Sequence, residues 1–157
     1  EQTAPEAIDA AEAFYKEVGK VTIRVNKEVP GHVANRLQAA LWREALHLVK
    51  EGVATVEDVD TAVWAGPGLR WGAMGPHMLF NLGAGEGGIA AFCERYAESF
   101  HRWWDDLGEP RLDAEIGATL ASGLAEEAQD RSIEKLSAER DALILAHLKA
   151  VRGLRRS

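Results

Sequence analysis

Beyond Pro30-Gly31 the apolar residues of this chain recur every three to four positions, almost to its end. That period belongs to helices packed on one another. Val33, Leu37, Ala40, Leu41, Ala45 and Leu48 form one face of a long helix ending near Gly52, and Ala39, Trp42, Leu46 and Val49 fill much of a second face. A helix apolar on two sides is buried on two sides, in a bundle centre or at a subunit interface. Thr55-Val56-Glu57-Asp58 supplies an N-cap with acids in the first turn and opens a short helix to about Trp64. Ile89, Phe92, Tyr96, Phe100, Trp103 and Leu107 mark another long amphipathic helix, and residues 113–128 a weaker one. Asp130 or Ser132 opens the last, with Ile133, Leu136, Leu143, Ile144, Leu148 and Val151 on its apolar side and a basic tail from Arg152 to Ser157.

Upstream of Pro30 the texture differs. Glu1 to Lys20 reads as a helix, with Thr3 as N-cap, Pro5 in the first turn and Gly19 as the stop. Val21-Thr22-Ile23-Arg24-Val25 is β-branched and alternating, the one convincing strand in the sequence. A single strand cannot satisfy its own ladder of hydrogen bonds, so it must find a partner or stay an unpaired edge. A lone helix and strand read as the tail of a βα-alternating domain. The start at Glu1, without Met, points the same way, to a fragment.

Two Gly-rich segments interrupt the helices. Residues 65–76 hold four glycines and two prolines, so no regular element is expected, yet Leu69, Trp71 and Met74 require it to be packed. Gly83-Ala84-Gly85-Glu86-Gly87-Gly88 superficially resembles a dinucleotide fingerprint, but it lacks the preceding strand and the downstream acid. A helix-to-helix turn is the better reading.

The net charge of -7 and pI near 5.3 argue against a nucleic-acid partner, because phosphate binding needs clustered Lys and Arg. A cytoplasmic protein is expected. No apolar run is long enough to span a membrane. The single cysteine, Cys93, reads as a core thiol. The five histidines are scattered without metal-ligand spacing, so no metal is expected, and no nucleophile elbow supports a Ser-His-Asp reading.

The informative pattern is Val29-Pro30-Gly31-His32-Val33-Ala34-Asn35-Arg36, directly after the expected strand and opening the two-faced helix. Together with Glu44-Ala45-Leu46, Glu51-Gly52-Val53-Ala54-Thr55, Asp58-Val59-Asp60 and Met74-Gly75-Pro76, it resembles the domain junction and C-terminal domain of 3-hydroxyacyl-CoA dehydrogenases and their relatives. That resemblance implies a multi-helix, 6-phosphogluconate-dehydrogenase-C-terminal-like bundle at 29–157, the substrate-binding and dimerisation domain. Residues 1–28 would then be the terminal helix and strand of a truncated NAD-binding Rossmann domain. It also implies an NAD-dependent enzyme in the full-length protein, with no NAD bound by this stretch, and a homodimer. Ala39, Trp42 and Leu46 are the candidate interface residues. Asn35 matches the family's substrate-reaching asparagine; an amide positions a hydroxyl or carbonyl oxygen without titrating. The bland reading of Asn35 is a helix-start cap. Arg36 suits an anchor on a carboxylate or on backbone carbonyls.

Gly66-Pro67-Gly68-Leu69-Arg70-Trp71 is similar to the carnitine dehydrogenase and λ-crystallin (gulonate dehydrogenase) branch, which implies a small free 3-hydroxy acid as substrate in place of an acyl-CoA. Arg70 would pair bidentately with a carboxylate that a thioester lacks, and Trp71 would suit a quaternary ammonium. The alternatives stay open: Arg70 in an internal salt bridge, Trp71 in the core, an acyl-CoA substrate from fatty-acid metabolism, or a domain acting only in dimerisation. Tyr96, Phe100, Trp103 and Trp104 read as core or interface.

Overall fold

The computed structural model describes residues 3–155 and side chains through Leu154. Glu1-Gln2 and Arg156-Ser157, the ends of the expected first helix and of the basic tail, lie outside the described residues. The chain divides into two compact units within one helix, after Ala40.

In the first unit, α1 spans Pro5–Glu17. Its N-cap is Ala4, not Thr3, because a residue before proline is forced to extended backbone, and Ala4 sits at φ -63, ψ 140. The helix stops as expected at Gly19, whose φ of 77 closes two reversed hydrogen bonds, Gly19 N–H to Lys16 O and Lys20 N–H to Tyr15 O. No β-strand forms among the described residues. The expectation of a leftover Rossmann strand at Val21–Val25 is therefore corrected. Without a neighbouring strand the alternating run has no ladder to join, and Val21 is 93% exposed. Its order comes from Arg24, which donates to Glu12 at 2.8 and 2.6 Å and to Asp9 at 2.6 Å. Those carboxylates hold the guanidinium firmly protonated, and Arg24 in turn holds the Glu12 carboxyl below its usual range. A turn at Val29–His32 then leads into α2, Ala34–Lys50.

In the second unit the chain ends α2 at Gly52, with φ 66 and the same reversed bonding from Val53 N–H to Leu48 O. Helix α3, Val56–Val63, is capped by Thr55, whose Oγ1 accepts from the Asp58 N–H at 3.1 Å. Residues 65–76, expected to be irregular, are instead helical through Ala73. A π turn at Trp64–Gly68 absorbs Pro67 by opening the backbone at Gly66 (φ -99, ψ -110), and α4 follows at Leu69–Ala73. Helices α5 (Pro76–Gly83) and α6 (Gly88–Asp106) are joined by a 3₁₀ turn at Gly85–Gly87, the helix-to-helix connection expected there. The Asn81 side chain accepts from the Ile89 N–H at 3.0 Å and caps α6. Helices α7 (Ala114–Ala128) and α8 (Ile133–Arg155) complete the chain.

The core of this unit is centred on the contact between α3 and α7. Leu46, Val56, Val59 and Ile116 are its buried apolar side chains. Packing is close enough there that Gly123 of α7 lies directly under the Val56 side chain. The end of α2 is tied to the segment after α6 by Gly108, whose N–H donates to Glu44 Oε2 at 2.9 Å. The His47 ring occupies the space a Cβ on Gly108 would need. Arg131 joins α7 to α8, donating to the Ala128 and Glu127 carbonyls and to Glu139. No described helix is long and apolar enough to cross a membrane.

Candidate functional site

The first unit presents Asn35 in the opening turn of α2. Pro30 and Gly31 are the central residues of a turn closed by His32 N–H to Val29 O at 3.0 Å. Gly31 at φ 76 is what that turn type demands, and His32 follows at φ 49, uncommon for a residue with a side chain. Arg36 donates Nη1 to the Pro30 carbonyl at 3.3 Å, the backbone anchor expected of it. Asn35 is exposed, and no hydrogen bond of its amide is found among the described residues, so the capping alternative gains no support. Ala39, Trp42 and Leu46 follow on the same helix at intervals of three and four. Trp42 is 49% exposed, whereas Leu46 is 4% exposed and belongs to the chain's own core.

The second unit presents Arg70 and Trp71 on α4. Arg70 is exposed, and no ion pair of its guanidinium is found among the described residues. Trp71 is 39% exposed, so it is not a core residue. The unusual backbone at Gly66 and Pro67 is what turns α3 into α4. The carbonyl of Gly72 receives the Nε2 of His147, from α8, at 3.0 Å.

A feature not anticipated from the sequence is a largely apolar cavity of about 350 Å³ between α5 and α6, with His77, Phe80, Phe92, Tyr96, Phe100 and Trp104 in its wall. Phe80 stacks on Phe92 at 4.7 Å between ring centres, and Phe92 meets Tyr96 at 4.8 Å. Phe92, Tyr96, Phe100 and Trp104 recur every four residues; that spacing was visible, but it reads equally as a core stripe. Trp103 and Trp104 are 55% and 59% exposed, which removes the core reading for them. Cys93 also lines this cavity and is exposed, so the expected core thiol is corrected. Among the described residues no group of His, Cys, Asp and Glu could hold a metal ion.

A family model described as 3-hydroxyacyl-CoA dehydrogenase, C-terminal domain, matches residues 31–135, and the chain belongs to that family. It is 46% identical over 156 residues to an L-carnitine dehydrogenase of Streptomyces griseus subsp. griseus, covering 99% of this chain and 47% of that protein. It is 41% identical over 156 residues to an L-carnitine dehydrogenase of Pseudomonas putida, covering 99% and 49%. Among solved structures it resembles 5-formyl-3-hydroxy-2-methylpyridine 4-carboxylic acid 5-dehydrogenase, an NAD+-dependent dismutase, with a TM-score of 0.74 and 28% identity over 98% of this chain and 50% of that one. The chain thus spans about half the length of the relatives it matches.

Proposed function

We propose that this chain forms the substrate side of an NAD-dependent oxidoreductase that interconverts a small free 3-hydroxy acid and its 3-keto form by hydride transfer. The carrying observation is Arg70, exposed on α4 with no ion pair among the described residues and next to a part-exposed Trp71. A guanidinium not committed to an internal carboxylate is available for a substrate's carboxylate. The L-carnitine dehydrogenase relatives support this choice: carnitine is a free 3-hydroxy acid that carries a quaternary ammonium. Its carboxylate suits Arg70, and an aromatic face such as Trp71 suits the ammonium. The amide of Asn35 would hold the reacting oxygen without changing charge as hydride leaves.

The residues here do not fit the nicotinamide cofactor. The Gly-rich stretch is a 3₁₀ turn between helices, with no strand among the described residues to aim it at a pyrophosphate. NAD and the proton-transferring groups would belong to other parts of the full-length polypeptide. Ala39 and Trp42, both exposed, are the proposed dimer contact, whereas Leu46, buried in the chain's own core, supports that helix from within.

The family's name favours a second reading, an acyl-CoA substrate. Arg70→Ala in the full-length protein separates the two. On a free 3-hydroxy acid, kcat/KM should fall by about 10- to 100-fold, the worth of a charge-assisted bidentate contact, and turnover of a 3-hydroxyacyl thioester should barely change. An unchanged kcat/KM on the free acid overturns the proposal.

A further inference from the structure

We infer that His147 of α8 is a positioning residue for the substrate turn, holding α4 through the Gly72 carbonyl so that Arg70 and Trp71 stand where the substrate needs them. The inference rests on the substrate role proposed for Arg70. Helix α4 is a single short turn, Leu69–Ala73, and the chain leaves it at Met74 in extended conformation (φ -154, ψ 143). The Arg70 carbonyl finds its partner locally, in the Met74 N–H at 3.0 Å. The Gly72 carbonyl would look four residues ahead in a continued helix, and that residue is Pro76, which has no N–H to give. The partner comes instead from 75 positions downstream, where the His147 imidazole lies 3.0 Å away. A carbonyl only accepts, so Nε2 carries the proton and donates it.

The glycine is the second, independent half of the observation. A Cβ at residue 72 would lie 2.9 Å from both Cε1 and Nε2 of the ring. The imidazole therefore fills the place a side chain would take, and it reaches the backbone because residue 72 has none. The same short helix is otherwise entered through the π turn, whose opened backbone at Gly66 is a poor lever for fixing direction. Clamping the Gly72 peptide fixes the one turn on which Arg70 and Trp71 stand, two and one residues earlier. The distal histidine thus acts on substrate affinity through backbone position, without touching substrate.

The test uses the full-length protein and steady-state kinetics on a free 3-hydroxy acid. His147→Leu removes the donor and should raise KM about three- to tenfold while leaving kcat nearly unchanged, the scale of one neutral hydrogen bond. His147→Gln, which presents an amide N–H at similar reach, should recover most of that loss; a residue that merely fills space would not be rescued this way. Gly72→Ala pushes the ring away and should raise KM by a similar factor, and in the double variant with His147→Leu the two losses should not add. Should His147→Leu fold poorly, Gly72→Ala reads the same contact from its other end. A wild-type KM in His147→Leu or Gly72→Ala, with Arg70→Ala impaired, overturns the clamp and leaves the substrate reading standing. An unimpaired Arg70→Ala overturns both.

Discussion

Gly31 carries a positive φ of 76 in the turn that delivers Asn35 to the start of α2. A Cβ there would meet ordinary contacts, 3.4 Å from Arg36 Cγ at the nearest, so the constraint is the backbone and not space. Gly31→Ala should therefore destabilise the chain by about 1–2 kcal/mol, the left-handed penalty of an L-residue. An unchanged melting temperature would show that the turn relaxes without loss. Glu127 behaves differently. Burial raises its carboxyl above the usual range, Asp60 and Glu57 across the α3–α7 contact add to that, and Arg131 opposes them. A carboxyl whose folded pKa is raised favours the protonated folded state. Stability then falls as pH climbs from the unfolded carboxylate value, about 4.3, through the raised one. Glu127→Gln should raise the melting temperature at neutral pH, with the gain disappearing below about pH 4. A gain that persists at acid pH would assign the effect to something other than ionisation.

At the scale of elements, the α3–α7 pair is a tight joint, because Gly123 leaves no room between α7 and Val56. Gly123→Ala should cost about 1–3 kcal/mol by overpacking, and Val56→Ala in the same chain should return part of it. Thermal melts of the two single variants and the double variant measure this; strictly additive losses would mean the two positions do not compete for space. The long helices and their caps were legible because they are local: Thr55 bonds three residues ahead, and Gly19 and Gly52 terminate helices that a 3.6-residue period had already drawn. Val21–Val25 was misread for the complementary reason. Alternating β-branched residues favour extended backbone, but a strand exists only when another strand pairs with it, and no local pattern records that. Residues 65–73 were misread because Gly and Pro signal a break, while here they build a π turn that lets helical geometry resume at Leu69. The proposed site divides in the same way. Asn35 and Arg36 lie within one motif, whereas the contact between Gly72 and His147 is made by tertiary packing alone.

On the scale of the whole molecule, apolar side chains are conspicuous at the surface. Trp42, Trp64, Met78, Leu82, Trp103, Trp104 and Leu145 are each about half exposed or more. Where such groups adjoin in one patch they suit burial against further protein. The proposed homodimer takes up part of that surface. Sedimentation of the full-length protein should give a dimer, and Trp42→Asp should shift it toward monomer. A strict monomer with an intact fold would remove Ala39 and Trp42 as contact residues.

The fastening of residues 21–25 to α1 has a practical consequence. Arg24 does this through two carboxylates in open solvent, with side chains 56% and 66% exposed in the pair with Asp9. At molar ionic strength the screening length shrinks to about 3 Å, and such pairs lose most of their hold. What they release is a run of valine and isoleucine for which no backbone hydrogen bond is found among the described residues, able to pair edge to edge with the same run in another molecule. Concentrated brine should therefore promote self-association through this run, and light scattering that stays flat as salt is raised would refute it.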